Sequence, residues 1–141
     1  MGQKGHYTNI ASEFHVISCL TRKGHDVNLT LGNNKKVDIV VALPNGKFVT
    51  IDVKAVAGKM DWLIGNTEPA RGHNHFFILV TYNGEFEELT EIPQCWIIPS
   101  RELKPPFLKT AGNNKTRYVG RKYLMEHGKN WYNKWDLLKI H

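Results

Sequence analysis

Four side chains in this sequence are of the types that handle a phosphate ester: Glu13, Asp38, Asp52 and Lys54. Residues Lys47–Val56 read as a strand, in which side chains alternate between two faces. Val49, Ile51 and Val53 share one face, and Phe48, Thr50, Asp52 and Lys54 share the other. Asp52 and Lys54 are therefore neighbours, about 6–7 Å apart along the strand. A carboxylate so placed can bind a hard divalent cation through oxygen. The lysine can orient a water or stabilise charge developing on a phosphate. Asp38 opens a second apolar run, Val37 to Ala42. An acid there needs a partner, solvent or a metal, because burying a lone charge is costly.

The turn between these strands sets their register. Pro44-Asn45-Gly46 is a tight turn, so the strands should be antiparallel neighbours. Asp38 and Asp52 each lie seven residues from Asn45. Pairing about that centre brings the two carboxylates within cross-strand range. Like charges so close repel, and a cation between them is the economical remedy, magnesium first. Glu13 falls on the wheel of the first helix between Ile17 and Leu20, on the packing side. If that helix packs beside the acidic pair, Glu13 can complete or tune the site. Plainer uses exist for each residue. Asp52-Val53-Lys54 can be a solvated pair, Asp38 a structural bridge, and Glu13 an acid reaching water from the stripe's edge.

The elements that must position these residues follow from periodicity. Ile10, Phe14, Ile17 and Thr21, with Leu20 beside them, predict a helix over Thr8–Lys23 with Gly24 ending it. Strands are expected over Asp26–Leu31, Lys36–Leu43, Lys47–Val56, His75–Tyr82 and Gln94–Ile98. Phe76 to Val80 is a continuous apolar run, suited to a strand buried on both faces. Between Gly58 and His73, Met60 to Ile64 is read as a short helical piece. Ser100–Leu103 is read as a helical turn stopped by Pro105-Pro106. Trp131, Trp135 and Leu138 fall at helical spacing near the end. The order predicts one α+β or mixed α/β domain over residues 1–141, with a central mixed sheet flanked by helices. A basic loop and helical tail follow from about residue 104.

Composition agrees with a soluble globular chain: 41% of its residues are hydrophobic and 23% charged, which argues against disorder. Cys19 and Cys95 are too few for a disulfide framework and lack zinc spacing. They are expected to be reduced core thiols in a cytoplasmic protein. No apolar run reaches the ~20 residues of a membrane span, and the start lacks the apolar core of a secretory signal. Lys and Arg exceed Asp and Glu by 19 to 13, a net charge of +6 that suits an anionic partner. From Leu103 to Met125 the basic residues Lys104, Lys109, Lys115, Arg117, Arg121 and Lys122 occur with no acid among them. Such a stretch can neutralise phosphates. Lys59, Arg71, His73 and His75 form a second basic group close in chain position to Lys54. A histidine there can serve as a proton donor.

Glu13, Asp38 and the Asp52-Val53-Lys54 run together resemble the PD-(D/E)xK nuclease superfamily, which has the restriction-endonuclease-like fold. The pattern is also similar to Holliday-junction resolvases and small homing endonucleases. The resemblance covers the first 56 residues most strongly, and Val37 stands where the named motif has proline. It implies an αβββ-αβ core and metal-dependent hydrolysis of phosphodiester bonds, most often in DNA. Asp38 and Asp52 would hold Mg²⁺, or Mn²⁺ in its place, with the backbone carbonyl of Val53. Glu13 would assist through metal or water, and Lys54 would orient the attacking water. RNA as substrate shares the same chemistry. A homodimer would suit an enzyme that cuts both strands. The contrasting expectation is a module that keeps the fold and binds nucleic acid without cutting it.

Overall fold

The computed structural model describes residues 2–29, 38–69 and 72–140. A long helix, α1 (Gly2–Arg22), leads into the strands β1 (Asp26–Leu29), β2 (Ile39–Ala42) and β3 (Phe48–Val56). After these come β4 (Trp62–Gly65), β5 (His75–Thr81) and β6 (Gln94–Pro99). A 3-10 turn (Ser100–Glu102), β7 (Leu108–Thr110), β8 (Arg117–Val119), a short helix α2 (Arg121–His127) and a final 3-10 segment (Trp135–Ile140) complete the chain. Among the described residues no helix is long and apolar enough to cross a membrane.

The central sheet has the order β1-β2-β3-β5-β6. It is mixed, as expected: β3 and β5 run parallel and the other neighbours antiparallel. Every residue of β5 is buried, because layers cover both faces of the sheet. On one side Val49, Ile51, Val53, Phe76 and Ile78 pack with Val16 and Leu20 of α1 and with Trp135 and Leu138 of the tail. On the other, Val56, Phe77, Leu79, Trp96 and Ile98 pack under a second, three-stranded sheet ordered β4-β8-β7.

Several local expectations change. The helix begins at Gly2 rather than Thr8, and its buried face is not the apolar stripe. Thr8, Ser12, Val16 and Leu20 are buried, while Ile10 and Phe14 are 42% and 57% exposed. The hydroxyls can enter the core because each donates four residues back, Thr8 to the Lys4 carbonyl (2.9 Å) and Ser12 to that of Thr8 (2.6 Å). The stop at Gly24 is as expected. Gly24 has φ +91°, its N–H donates to Thr21 O, and the His25 N–H donates to Leu20 O. These are the paired bonds of a Schellman cap.

The Met60–Ile64 piece is not helix, and its residues from Trp62 on are strand. Trp62 and Ile64 point inward and Leu63 outward, a two-residue period, and the Trp62 indole N–H donates to the Val80 carbonyl at 2.9 Å. The connection from β3 to β5 thus carries a strand where a helix was expected. Likewise the stretch from residue 104 is not a basic loop, since it contains β7, β8 and α2. In the tail, Trp135 and Leu138 share a 3-10 segment, but Trp131 lies before it and its carbonyl accepts from the Ile97 N–H of β6.

Candidate active site

The β2–β3 hairpin closes through Leu43 N–H to Lys47 O (2.8 Å) and Gly46 N–H to Leu43 O (3.0 Å), with Gly46 at φ +83°. Asn45 Oδ1 accepts from the Lys47 N–H, which stiffens the turn. The ladder pairs Ile39 with Ile51 and Val41 with Val49. The ladder ends at Ile39 and Ile51, and Asp38 lies just beyond it in the chain, bonded to the residues that flank Asp52. Asp38 sits just before β2. Its N–H donates to Ile51 O (3.0 Å), and its Oδ2 accepts from the Val53 N–H at 2.7 Å. The carboxylate thereby takes the place of a ladder carbonyl and ties the acid to the β3 backbone.

Asp52 and Lys54 lie on the face that also carries the second sheet, beside Phe77 and Leu79 in the parallel register. Asp52 keeps 22% of its side chain exposed, and Lys54 is half-buried. The Asp52 Oδ2 is 3.0 Å from His75 Nε2, and His75 Nδ1 meets the Ser100 hydroxyl in a short hydrogen bond. An ionised carboxylate only accepts, so Nε2 carries the proton. In the neutral ring, Nδ1 then accepts from the serine hydroxyl. The histidine is 10% exposed and Ser100 fully buried, and Phe77 packs edge-on against the imidazole at 5.0 Å. Asp52 is thus held by a relay anchored in the core.

In the sequence His75 reads as one of a basic group able to donate a proton and Ser100 as the start of a helical turn, with nothing to link the two. The missing information was the β5–β6 register. It pairs Phe76 with Pro99, which sets His75 across from Ser100. The one signal available was a histidine heading an apolar run, a position that requires a polar partner when buried.

Glu13 is half-buried on α1, and α1 packs against the Val49, Ile51 and Val53 face, opposite to that of Asp52 and Lys54. The helix does not lie over the acidic pair. Among the described residues no group of three or more His, Cys, Asp or Glu side chains is placed to hold a metal ion. A cleft of about 540 Å³ lined by Lys23, His25, Asp26 and Leu43 lies at the turn end of the hairpin, away from Asp38, and shares no residue with this site.

The expected phosphate contacts divide in two. Lys59, His73, Lys109, Lys115 and Lys122 are exposed. Arg121 is turned inward: its guanidinium donates to Thr81 Oγ1 (3.0 Å) and Asn83 Oδ1, and lies 5.9 Å from the centre of the Trp62 ring. Burial pulls its pKa down from the usual range, with Asp61 opposing. Arg117 pairs with Glu68 at 3.4 Å and donates to the carbonyls of Lys115 and Asn66. Arg71 lies outside the described residues.

No protein-family model matches this sequence, and no curated protein does. A solved structure does resemble the fold: a bacterial homing endonuclease, I-Ssp6803I. The TM-score is 0.58 at 14% sequence identity, over 95% of this chain and 91% of that one. The chain therefore has a fold similar to that of a homing endonuclease, across nearly the whole length of both.

Proposed function

We propose that this chain is a metal-dependent endonuclease that hydrolyses phosphodiester bonds in DNA. The observation that carries the reading is the register of the β2–β3 hairpin. It brings Asp38 to the end of β2, where it is bonded to Ile51 O and the Val53 N–H on either side of Asp52, with Lys54 two residues beyond Asp52 on the same face of β3. The fold shared with a homing endonuclease supports it.

The donor chemistry fits a hard cation. Asp38 and Asp52 offer carboxylate oxygen, and each is steadied through Oδ2, by the Val53 N–H and by His75. Magnesium typically takes one or two carboxylates and completes its shell with water and substrate phosphate. A two-carboxylate site meets that need without a third acid. Asp38 and Asp52 would hold the ion with the Val53 carbonyl. When bound, the ion supplies Lewis acidity toward the phosphoryl oxygen and a bound water of lowered pKa. Lys54 contributes a second positive charge on the same face, where negative charge develops on the phosphate.

A module that binds nucleic acid without cutting is the second reading. It is favoured by the absence of a three-ligand cluster among the described residues. Against it, two acids on a DNA-facing surface weaken binding unless a cation neutralises them. Incubation of supercoiled plasmid with Mg²⁺ or Mn²⁺ separates the two. Cutting by the wild type, lost in EDTA and in Asp52→Ala and Lys54→Ala, supports the enzyme. If wild type neither cuts nor binds Mg²⁺ by calorimetry, the enzyme reading falls.

A further inference from the structure

We infer that the β7–β8 hairpin is the groove-reading element of this protein and that its substrate is B-form duplex DNA. The inference rests on the DNA reading above and adds the substrate's form and the element that recognises it.

The hairpin has two chemically distinct faces. Leu108 and Val119, paired in register, are buried against the core of the second sheet and anchor the ribbon. The next pair, Lys109 and Tyr118, faces the other way, and β4 continues that row with Leu63, which is 68% exposed. The exposed Lys109 and Leu63 therefore flank the half-buried Tyr118 on this face.

The tip is also shaped rather than slack. Asn113 Oδ1 accepts from the N–H groups of both Lys115 (2.9 Å) and Thr116 (3.0 Å), and Asn114 adopts φ +60°. Asn114 and Lys115 stay exposed at the turn. Of the six basic residues between Leu103 and Met125, Arg117 and Arg121 have hydrogen-bond or ion-pair partners, and the Lys109 ammonium lies 5.9 Å from the centre of the Tyr123 ring. Lys104, Lys109, Lys115 and Lys122 remain exposed, with no acid between them in sequence. The second sheet covers the same face of the central sheet that carries Asp52 and Lys54.

Groove dimensions select the ligand. Paired strands lie about 4.8 Å apart, and a B-DNA major groove about 12 Å wide admits a two-stranded ribbon. The A-form RNA major groove is too deep and narrow for side chains to read. A hairpin with outward lysines and a firm polar tip thus complements duplex DNA in charge and in shape.

The test measures binding in EDTA, so it does not depend on cleavage. Fluorescence anisotropy would follow a labelled duplex DNA, the duplex RNA of the same sequence, and single-stranded DNA across a salt series. Wild type should bind duplex DNA at least tenfold more tightly than duplex RNA. It should be displaced by the major-groove ligand methyl green and not by the minor-groove ligand netropsin. Lys109→Ala with Lys115→Ala should lower the slope of log K against log salt by roughly 1.8, two phosphate contacts at ~0.9 each. Lys47→Ala, at the β2–β3 turn, should leave it unchanged. Matching circular dichroism and melting curves would show that the double variant is folded. An unchanged slope in a folded double variant, equal affinity for duplex RNA, or displacement by netropsin alone would overturn the inference. A chain that binds this way but never cuts would sink the nuclease reading and leave this one standing. One that cuts DNA while ignoring the hairpin variants would do the reverse.

Discussion

His75→Ala should cost the fold roughly 3 kcal/mol. Two losses add up to that figure. The first is a hydrogen bond to a charged acceptor, Asp52, worth about 1.5–3 kcal/mol. The lower end applies, because Asp52 is 22% exposed and water can replace part of what the imidazole supplied. The second is the Ser100 hydroxyl, left fully buried without its partner, at about 1–3 kcal/mol. For a chain of 141 residues, the sum corresponds to a fall in Tm of roughly 10 °C. Ser100→Ala alone should cost about 1 kcal/mol. The double variant is the decisive member, because removing the orphaned hydroxyl should restore about 1–2 kcal/mol of the His75→Ala loss. Urea denaturation of all four proteins gives the cycle. Strict additivity, within about 0.5 kcal/mol, would refute the relay as a coupled unit. Under the proposed function the same His75 variant should also bind Mg²⁺ about 10-fold more weakly by calorimetry, since Asp52 loses its orienting partner.

Asp38→Ala removes the acceptor for the Val53 N–H and should cost about 1–2 kcal/mol, with faster hydrogen exchange at the Val53 amide as the local readout. Trp62→Ala should cost about 3–5 kcal/mol, because a fully buried indole and its bond to Val80 O both disappear; chemical denaturation measures it. Cys95 gives a pH prediction. Burial, with Cys19 adding to it, pushes its thiol pKa well above the ordinary range, so the folded thiol keeps its proton at pH values where the unfolded one has lost it. Stability from this source is complete below the unfolded value of about 8.5 and declines as pH rises beyond it. Cys95→Ala should flatten that alkaline decline in urea midpoints, and native Cys95 should resist thiol reagents. His15 works at the other end: burial lowers its pKa, so the unfolded chain takes up the proton first and stability falls as pH drops below about 6.5. In His15→Gln that acid-side slope should shrink.

What the sequence determined by itself is what short-range physics controls. The Pro44-Asn45-Gly46 turn and the two-residue period of strands are local, so the pairing of Ile39 with Ile51 followed from counting alone. Gly24 as a helix stop and the fully buried run of β5 were legible for the same reason. Tertiary structure decided the rest, because the deciding partners are distant in the chain. The polar stripe of Thr8 and Ser12 is buried on α1, with Ser12 Oγ 3.1 Å from the Tyr82 hydroxyl, seventy residues away. Met60 to Ile64 carries no strand signal until β8 pairs with Trp62 and Leu63 from residues 118 and 119. Arg121 looks like a phosphate contact until Thr81 and Asn83 claim its guanidinium. His75 finds Ser100 only through the β5–β6 register, and α1 takes the face behind the acids because Val49, Ile51 and Val53 offer the apolar surface there. Periodicity reports which residues can share a face, but only packing chooses what covers that face.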